Sequence, residues 1–198
     1  MKTQEAIESR SSIRDFSNKK VKFDLVLEAI DAANQAPFAG NINNLKYLIV
    51  ETQANKNIIA EYAQQYWINE SQWIVIVCSE FKKLDELYQD RAQMYAKQQA
   101  GAAIENMLLR ITDLGLASCW VGAFADDGIK AHFKIPDNWE IEAILPIAYP
   151  SNKLHKHARK IDLEKKIFWE KWNVDKKPKS YPNKDPSTFY TPEQKIRK

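Results

Sequence analysis

Two short apolar runs limit the folds open to this chain more than any other feature. Residues 47–50 (Tyr-Leu-Ile-Val) and 73–78 (Trp-Ile-Val-Ile-Val-Cys) contain no charged side chain, and runs of this length predict buried β-strands. Helical spacing predicts one helix between them, near residues 57–66, and another from Asp24, as its N-cap, until Pro37 stops it. No apolar run approaches the ~18 residues of a membrane span. The pattern predicts a soluble domain of mixed α and β structure.

The spacing of apolar residues also predicts the remaining helices and strands. Residues 3–9 predict a short helix, and the polar and aromatic residues 83–97 predict an exposed helical excursion. A central helix is expected to end at Gly115, because its apolar residues keep helical spacing: Ile104, Met107, Leu108, Ile111 and Leu114. Residues 118–122 and 141–149 predict two more strands. Pro146 has no N–H to donate, so the second of them is expected at an edge or a bulge.

The chain is expected to form a folded domain over residues 1–160 and a basic, aromatic extension over residues 161–198. From Ser151 onward there are 14 Lys and Arg residues against 6 Asp and Glu, although the whole chain carries only +3. This segment carries no recognisable nucleic-acid motif, so nucleic acid is not the expected partner and a solvated arm is. Its aromatic residues predict packing on another surface, such as a second subunit.

The cysteines and histidines indicate neither a disulfide nor a metal site. Cys78 and Cys119 lie far apart in apolar runs, which predicts buried, reduced thiols. His155 and His157 flank a lysine and have no third ligand at a suitable spacing, so no metal is expected. The first residues do not resemble a signal peptide. A cytoplasmic protein is the expectation.

The glycines exclude the usual phosphate-binding loops. Five glycines occur, and no arrangement of them gives G-x-G-x-x-G or a P-loop. A phosphate would therefore have to be held by side chains. Arg10, Ser12 and Arg14 are spaced by two, so in an extended segment their side chains point to one side and form a phosphate cradle. The alternative is that these residues are solvated or cap the preceding helix.

A second candidate site lies in the loop after Pro37. Asn41 and Asn43 place two amides beside a Pro-Phe turn, and amides can bind the donor and acceptor edge of a flavin or a nucleobase. The alternative is a turn in which the asparagines bond their own backbone.

Four motifs in a fixed order resemble the landmarks of the nitroreductase family of flavoenzymes. They are R-S-S-I-R-x-F from Arg10, A-P-x-x-x-N from Ala36, D-L-G-L-A-S-C-W-V-G-A-F from Asp113 and I-L-P-I-A-Y-P from Ile144. The resemblance covers residues 3–159, most of the chain. It implies an α+β fold, a three-layer α/β/α sandwich with a mostly antiparallel central sheet, a long dimerisation helix around residues 98–114 and an extended C-terminal tail.

The resemblance also implies a cofactor, flavin mononucleotide (FMN), and the residues that hold it. Arg10, Ser11, Ser12 and Arg14 match the motif that grips the phosphate and ribityl chain, and Arg159 best matches a later basic residue of that grip. Pro37, Phe38, Ala39 and Asn41 match the loop that lines the flavin, usually across the dimer interface. Gly122 and Ala123 match the segment that passes the reactive edge of the flavin. No catalytic side chain is implied, because the flavin carries the chemistry.

The implied activity is transfer of hydride from NADH or NADPH to a small electron-poor acceptor by a ping-pong mechanism, in a homodimer with no membrane partner. The alternatives are a flavin-dependent dehydrogenase or dehalogenase on the same scaffold, and a flavin-binding or nucleic-acid-associated module without turnover. Several positions depart from the family pattern. Asn43-Asn44-Leu45 stands where Gln-Pro-Trp is common, Ala148 replaces a frequent glycine, and Phe38 replaces a small residue. These departures affect the expected substrate more than the expected flavin.

Overall fold

The structure, a computed structural model, describes residues 1–151 and 163–175. The chain divides into two compact units, Met1–His157 and Ala158–Lys198. The boundary predicted at residue 160 lies outside the described residues and stays a prediction.

Within the second unit, the described residues begin with a 3-10 turn, Leu163–Lys166. An exposed aromatic pair follows, in which the ring centroids of Phe168 and Trp172 lie 4.9 Å apart. Whether this segment packs on a second subunit, as its aromatic content predicts, stays a prediction.

The first unit contains six helices and four strands in its described part. In chain order they are α1 (Thr3–Ser9), α2 (Phe23–Ala33), β1 (Leu45–Val50), α3 (Gln53–Ala63), β2 (Trp73–Ser79), α4 (Lys82–Tyr88), α5 (Ala92–Asp113), β3 (Ala117–Ser118), α6 (Asp126–Phe133) and β4 (Glu140–Ala148). Short 3-10 turns cover Ala39–Asn41, Tyr66–Glu70 and Gln89–Arg91. The strands form one sheet in the order β1-β2-β4-β3, and each neighbouring pair is antiparallel.

Helices cover both faces of this sheet. Val75 and Val77 of β2 pack in a core cluster with residues of α2 and α5. Ile74, Ile76 and Cys78 of the same strand pack in a second cluster with residues of α3 and α6. Because successive strand residues point to opposite faces, a strand covered on both sides needs apolar residues at every position. The three-layer α+β sandwich is confirmed, and its buried central strands explain the apolar runs.

The central helix, α5, is longer than its apolar pattern alone predicts. It begins at Ala92 and ends at Asp113, and Gly115 follows with a φ of 71°, the left-handed conformation that glycine adopts without strain. The predicted helical excursion over residues 83–97 is divided between α4, a 3-10 turn and the first turns of α5. The end at Gly115 is confirmed.

The prediction that Pro146 places its strand at an edge or a bulge is wrong. β4 lies between β2 and β3, and Pro146 pairs with Ile74 in regular register. Pro146 has no N–H to donate, and the sheet accommodates this on the side of β4 that faces β3. There the pairing stops at Ser118 and resumes only as a bridge between Val121 and Ile144. That interruption is located where the Pro146 N–H would donate.

Three predicted boundaries also differ. Lys22, not Asp24, is the N-cap of α2, and Asp24 lies in its first turn, where a carboxylate complements the helix dipole. The helix α2 ends at Ala33, before Pro37. The predicted strand 118–122 is a two-residue strand followed by a single bridge.

Both cysteines are free and buried, as predicted. Burial, and to a lesser degree the nearby Glu142 carboxylate, raises the pKa of the Cys78 thiol to about 11. In the described ranges, no helix combines the length and the apolar composition needed to cross a bilayer.

Candidate functional site

The first predicted motif leaves α1 in an extended conformation. Arg10 is the C-cap of α1, and its φ of −56° and ψ of 126° take the backbone out of the helix. The Ile13 N–H donates to the Ser118 carbonyl over 3.0 Å, and the Ser17 N–H donates to the Tyr149 carbonyl over 2.9 Å. These bonds attach the segment to β3 and to the residue after β4.

Side chains along this segment alternate as the spacing predicts. Ser12 and Arg14 are exposed. Ile13, between them, packs against an apolar cluster that contains Phe16. The extended conformation therefore separates an apolar side that attaches to the protein from a polar side that can meet a ligand.

Both arginines make contacts that leave donors available. The Arg10 Nε lies 3.3 Å from a carboxylate oxygen of Glu105 on α5. The Arg14 guanidinium carbon lies 5.7 Å from the ring centroid of Trp67, a cation–π contact. A guanidinium has five N–H donors, so these contacts with described residues use few of the donors that an anion could bind. The capping alternative holds for the Arg10 backbone only.

A cavity of about 30 Å³ lies behind this segment. Hydroxyl, guanidinium and apolar groups line it, from Ser9, Arg10, Ser11, Ile13, Leu108, Thr112, Leu116, Ala117 and Ser118. Ser118 is 4% exposed, and its Oγ has no hydrogen-bond partner in the described part of the chain. A buried hydroxyl without a partner loses its hydration and gains nothing in return, so a polar group is expected to reach it.

The second predicted motif forms a tight loop held by α5. Gly40 and Asn41 both have left-handed backbones, with φ of 58° and 57°. The Ala39 N–H donates to the Gln99 Oε1 over 3.1 Å. Pro37 and Asn41 are exposed, whereas Phe38 packs against the core cluster of α2 and α5.

The third motif places an exposed indole beside small residues. Gly122 and Ala123 are exposed, and the Ala123 carbonyl accepts from the Gln65 side-chain amide over 3.3 Å. Trp120 is 40% exposed. Its indole lies 3.8 Å from the Cβ position of Gly122 and 4.0 Å from that of Gly101 on α5. The two glycines leave room on two sides of this ring.

The arginine segment and the loop attach to different faces of α5. Arg10 pairs with Glu105, and the loop is bonded to Gln99. Six residues of α-helix correspond to about 9 Å along the axis and about 120° around it. The contacts that the two groups of predicted residues make with α5 of one chain therefore lie about 9 Å apart along the helix and on different faces of it. Arg159, the last predicted contact, lies outside the described residues.

Sequence reasoning missed three residues of this region: Gln99, Ser118 and Trp120. A signal was present for Gln99, since it lies one helical turn before Ala103 and two before Met107 on a buried stripe of α5. A polar residue on an apolar stripe predicts a buried hydrogen-bond role. No comparable sequence signal distinguishes Ser118 or Trp120.

Comparison with known proteins gives a consistent result. A family model described as the nitroreductase family matches residues 7–80 and 51–149. A protein of Methanothermobacter thermautotrophicus with the provisional name NADH dehydrogenase/NAD(P)H nitroreductase is 26% identical over 179 residues, covering 87% of this chain and 88% of that protein. The iodotyrosine deiodinase of Thermotoga neapolitana is 22% identical over 166 residues, covering 76% of this chain and 89% of that protein.

The fold is also shared with solved structures. A nitroreductase family protein from Clostridium novyi NT superimposes with a TM-score of 0.70 at 26% identity, covering 88% of this chain and 96% of the other. Another, from Clostridium difficile 630, gives a TM-score of 0.75 at 25% identity, covering 86% of this chain and 99% of the other.

Proposed function

Because this chain belongs to the nitroreductase family, we propose that it binds FMN and uses it to pass hydride from NADH or NADPH to a small electron-poor acceptor, such as a nitroaromatic or a quinone. An oxidoreductase activity follows from the family and from relatives named as NADH dehydrogenases. The observation that supports FMN most directly is the extended segment with two arginines and two serines beside a buried, unpartnered hydroxyl.

The residues present fit a phosphorylated flavin. Arg10 and Arg14 supply guanidinium donors, and Ser11 and Ser12 supply hydroxyls within the same five residues. Phosphate oxygens are strong acceptors that favour such charged, forked donors. Ser118, whose Oγ has no partner in the described part of the chain, is one of the residues that line the cavity behind Arg10 and Ser11.

The protein's contribution is binding and access. When bound, FMN would supply the chemistry for hydride transfer between the nicotinamide and the second substrate. Arg10 and Arg14 would hold the phosphate, and the positive charge they bring favours an anionic ligand. Gly122 and Ala123 are small and exposed, so a flat substrate could approach beside them without displacing a side chain.

A homodimer is the second part of the proposal. Exposed apolar side chains occur on α1 and on the two helices packed on one sheet face: Ile7 of α1, Leu27 of α2 and Met94 of α5 are each at least 40% exposed. A second copy would remove them from water. It would also allow the loop of one chain to approach the arginine segment of the other, whereas within one chain the two contact different faces of α5.

Replacing Arg10 and Arg14 together by alanine tests the phosphate assignment. Loss of two charge-assisted hydrogen bonds is expected to weaken FMN binding by about 100-fold or more. The Arg10–Glu105 pair is solvent-exposed, so its loss costs at most about 1 kcal/mol of stability. Dissociation constants for FMN and for riboflavin, measured by quenching of flavin fluorescence, are the readout. The double variant should bind both ligands equally weakly, because only FMN carries the phosphate.

The matched control removes two positive charges elsewhere. Lys130 and Lys134 line an open hollow at α6, and replacing both by alanine should leave the preference for FMN over riboflavin unchanged. An Arg10→Ala, Arg14→Ala protein that retains wild-type FMN affinity contradicts the assignment.

Reductive removal of a halogen from an aromatic substrate is a second candidate function. The similarity to a protein named as an iodotyrosine deiodinase favours it. The two functions are separated by offering the FMN-loaded protein a nitroaromatic and an iodophenol with the same nicotinamide. Release of iodide at a rate exceeding nitro reduction would favour the dehalogenase.

A further inference from the structure

Gln99 is a buried amide that bonds the loop after Pro37 at three points. It is 4% exposed on α5. Its Oε1 accepts from the Ala39 N–H over 3.1 Å. Its Nε2 donates to the Ile42 carbonyl over 3.2 Å and, at short range, to the Asn44 Oδ1. Both ends of the amide are therefore used, and they contact the loop on either side of its turn.

Asn44 extends this contact into the sheet. It is 7% exposed, and its Nδ2 donates to the Glu80 carbonyl over 2.8 Å, just after β2. The Glu80 N–H donates in return to the Asn44 carbonyl over 3.1 Å. A chain of hydrogen bonds thus runs from the end of β2 through Asn44 and Gln99 to the loop. Each of these two side-chain amides can make its hydrogen bonds only with its oxygen and nitrogen in the present orientation.

The turn of this loop is formed by two residues that suit a left-handed backbone. Gly40 and Asn41 are consecutive left-handed residues, and most other residues adopt that conformation rarely. The space around the turn is also restricted, since a Cβ at Gly40 would lie 3.0 Å from the Tyr88 hydroxyl.

We propose that Gln99 is a positioning residue, which holds residues 37–42 in the shape that binds the flavin. The inference rests on the proposed function, because the loop's role toward FMN comes from the family resemblance. Gln99 touches no ligand in this account. It acts through the backbone N–H of Ala39 and the carbonyl of Ile42, and it fixes where Pro37 and Asn41 are presented.

The substitution Gln99→Glu should make the hydrogen bonding that holds residues 37–42 depend on pH. A neutral carboxylic acid keeps one donor and one acceptor and can replace most of the amide, whereas a carboxylate only accepts and would face the oxygens of Ile42 and Asn44. Burial raises the pKa of a carboxyl group, so the neutral form persists under mildly acidic conditions. The variant should bind FMN within a few-fold of wild type near pH 5.5 and about tenfold more weakly than wild type near pH 8.

The matched control is Gln93→Glu, the same substitution at an exposed position of α5. Its FMN affinity relative to wild type should not change over this pH range. Comparing each variant with wild type at the same pH removes the titration of the FMN phosphate itself. A Gln99→Glu protein whose FMN affinity follows wild type at both pH values overturns the inference.

A second measurement needs no flavin. Hydrogen exchange of the flavin-free protein, followed by mass spectrometry on peptides spanning residues 36–44, should be faster in Gln99→Leu than in wild type, while peptides of β2 exchange equally. If wild type itself binds no FMN, the proposed function fails while this result can still stand. If wild type binds FMN but residues 36–44 exchange equally in the two proteins, the role of Gln99 fails and the proposed function stands.

Discussion

Two buried serines of this protein have opposite environments. The Ser71 Oγ donates within a turn, lying 2.8 Å from the Ile68 carbonyl and 3.1 Å from the Trp73 carbonyl. The Ser118 Oγ is equally buried and has no partner within residues 1–151 and 163–175. Burying a hydroxyl is unfavourable unless it is hydrogen-bonded, so the same substitution should affect stability differently at the two positions.

We expect Ser71→Ala to lower the free energy of unfolding by about 1–2 kcal/mol, and Ser118→Ala to leave it unchanged or to raise it slightly in the flavin-free protein. Urea denaturation of the two variants and wild type, without added FMN, measures both effects. Equal destabilisation by the two substitutions would show that the Ser118 hydroxyl has a partner, such as an ordered water in the cavity.

Among single residues, the sequence could identify only those whose role depends on local spacing. Ser12 and Arg14 are two apart, and an extended backbone exposes both. The roles of Gln99 and Ser118 depend on contacts between positions tens of residues apart, such as Gln99 with Ala39. Local spacing carries no information about such pairs, although a polar residue on a buried helix stripe indicates that a partner exists.

Among the elements, α3 and α6 are joined by an unusually close contact. A Cβ at Gly128 of α6 would lie 2.2 Å from the Tyr62 ring of α3. The Ala125 N–H, at the start of α6, donates to the Tyr62 carbonyl over 2.9 Å. Alanine in place of a helical glycine usually stabilises a protein by about 1 kcal/mol. At Gly128 the ring opposes this gain.

Gly128→Ala is therefore expected to destabilise the protein by about 1–3 kcal/mol, because the ring or α6 must move. Tyr62→Ala should cancel this penalty when the two changes are combined. Thermal unfolding of both single variants and the double variant gives the coupling between the sites. Additive effects, or a Gly128→Ala protein more stable than wild type, would contradict the packing described for α3 and α6.

The strand β4 shows where element-level prediction fails. Its apolar run was sufficient to predict a strand, but the rule for proline predicted its place in the sheet wrongly. Pro146 lacks a hydrogen-bond donor only on the side of β4 that faces β3. On that side β4 pairs with the two residues of β3 and, separately, through a bridge between Val121 and Ile144. A proline can thus occupy an interior strand when its neighbour is interrupted, which depends on the partner's pairing and cannot be seen in the strand itself.

On the scale of the whole molecule, the three-layer sandwich could be expected from the family resemblance but not from the residue pattern alone. The buried strands indicate covered faces, whereas strand order and antiparallel pairing depend on long-range contacts. The assembly belongs to the same scale. We proposed a homodimer from the exposed apolar residues of α1, α2 and α5, and the spacing of the two candidate segments along α5 is consistent with a shared site.

A homodimer is expected to have a mass of about 46 kDa, twice the 23.0 kDa of one chain. Light scattering of the FMN-loaded protein measures it, and replacement of the exposed Leu27 by Glu should shift the mass toward that of one chain and release flavin at the same time. The exposed Lys83→Glu serves as a control on α4. A monomer that keeps its flavin would rule out a site shared between two chains.

Anaerobic titration with NADH and then with NADPH measures whether a flavin bound to this protein accepts hydride from a nicotinamide. The purified protein is first reconstituted with FMN and freed of excess ligand by gel filtration. We expect a yellow protein whose visible flavin absorbance is lost on adding about one equivalent of at least one nicotinamide per flavin, and returns when a nitroaromatic or quinone is added. A protein that emerges colourless from gel filtration, or whose bound flavin is reduced by neither nicotinamide, would contradict the proposed function.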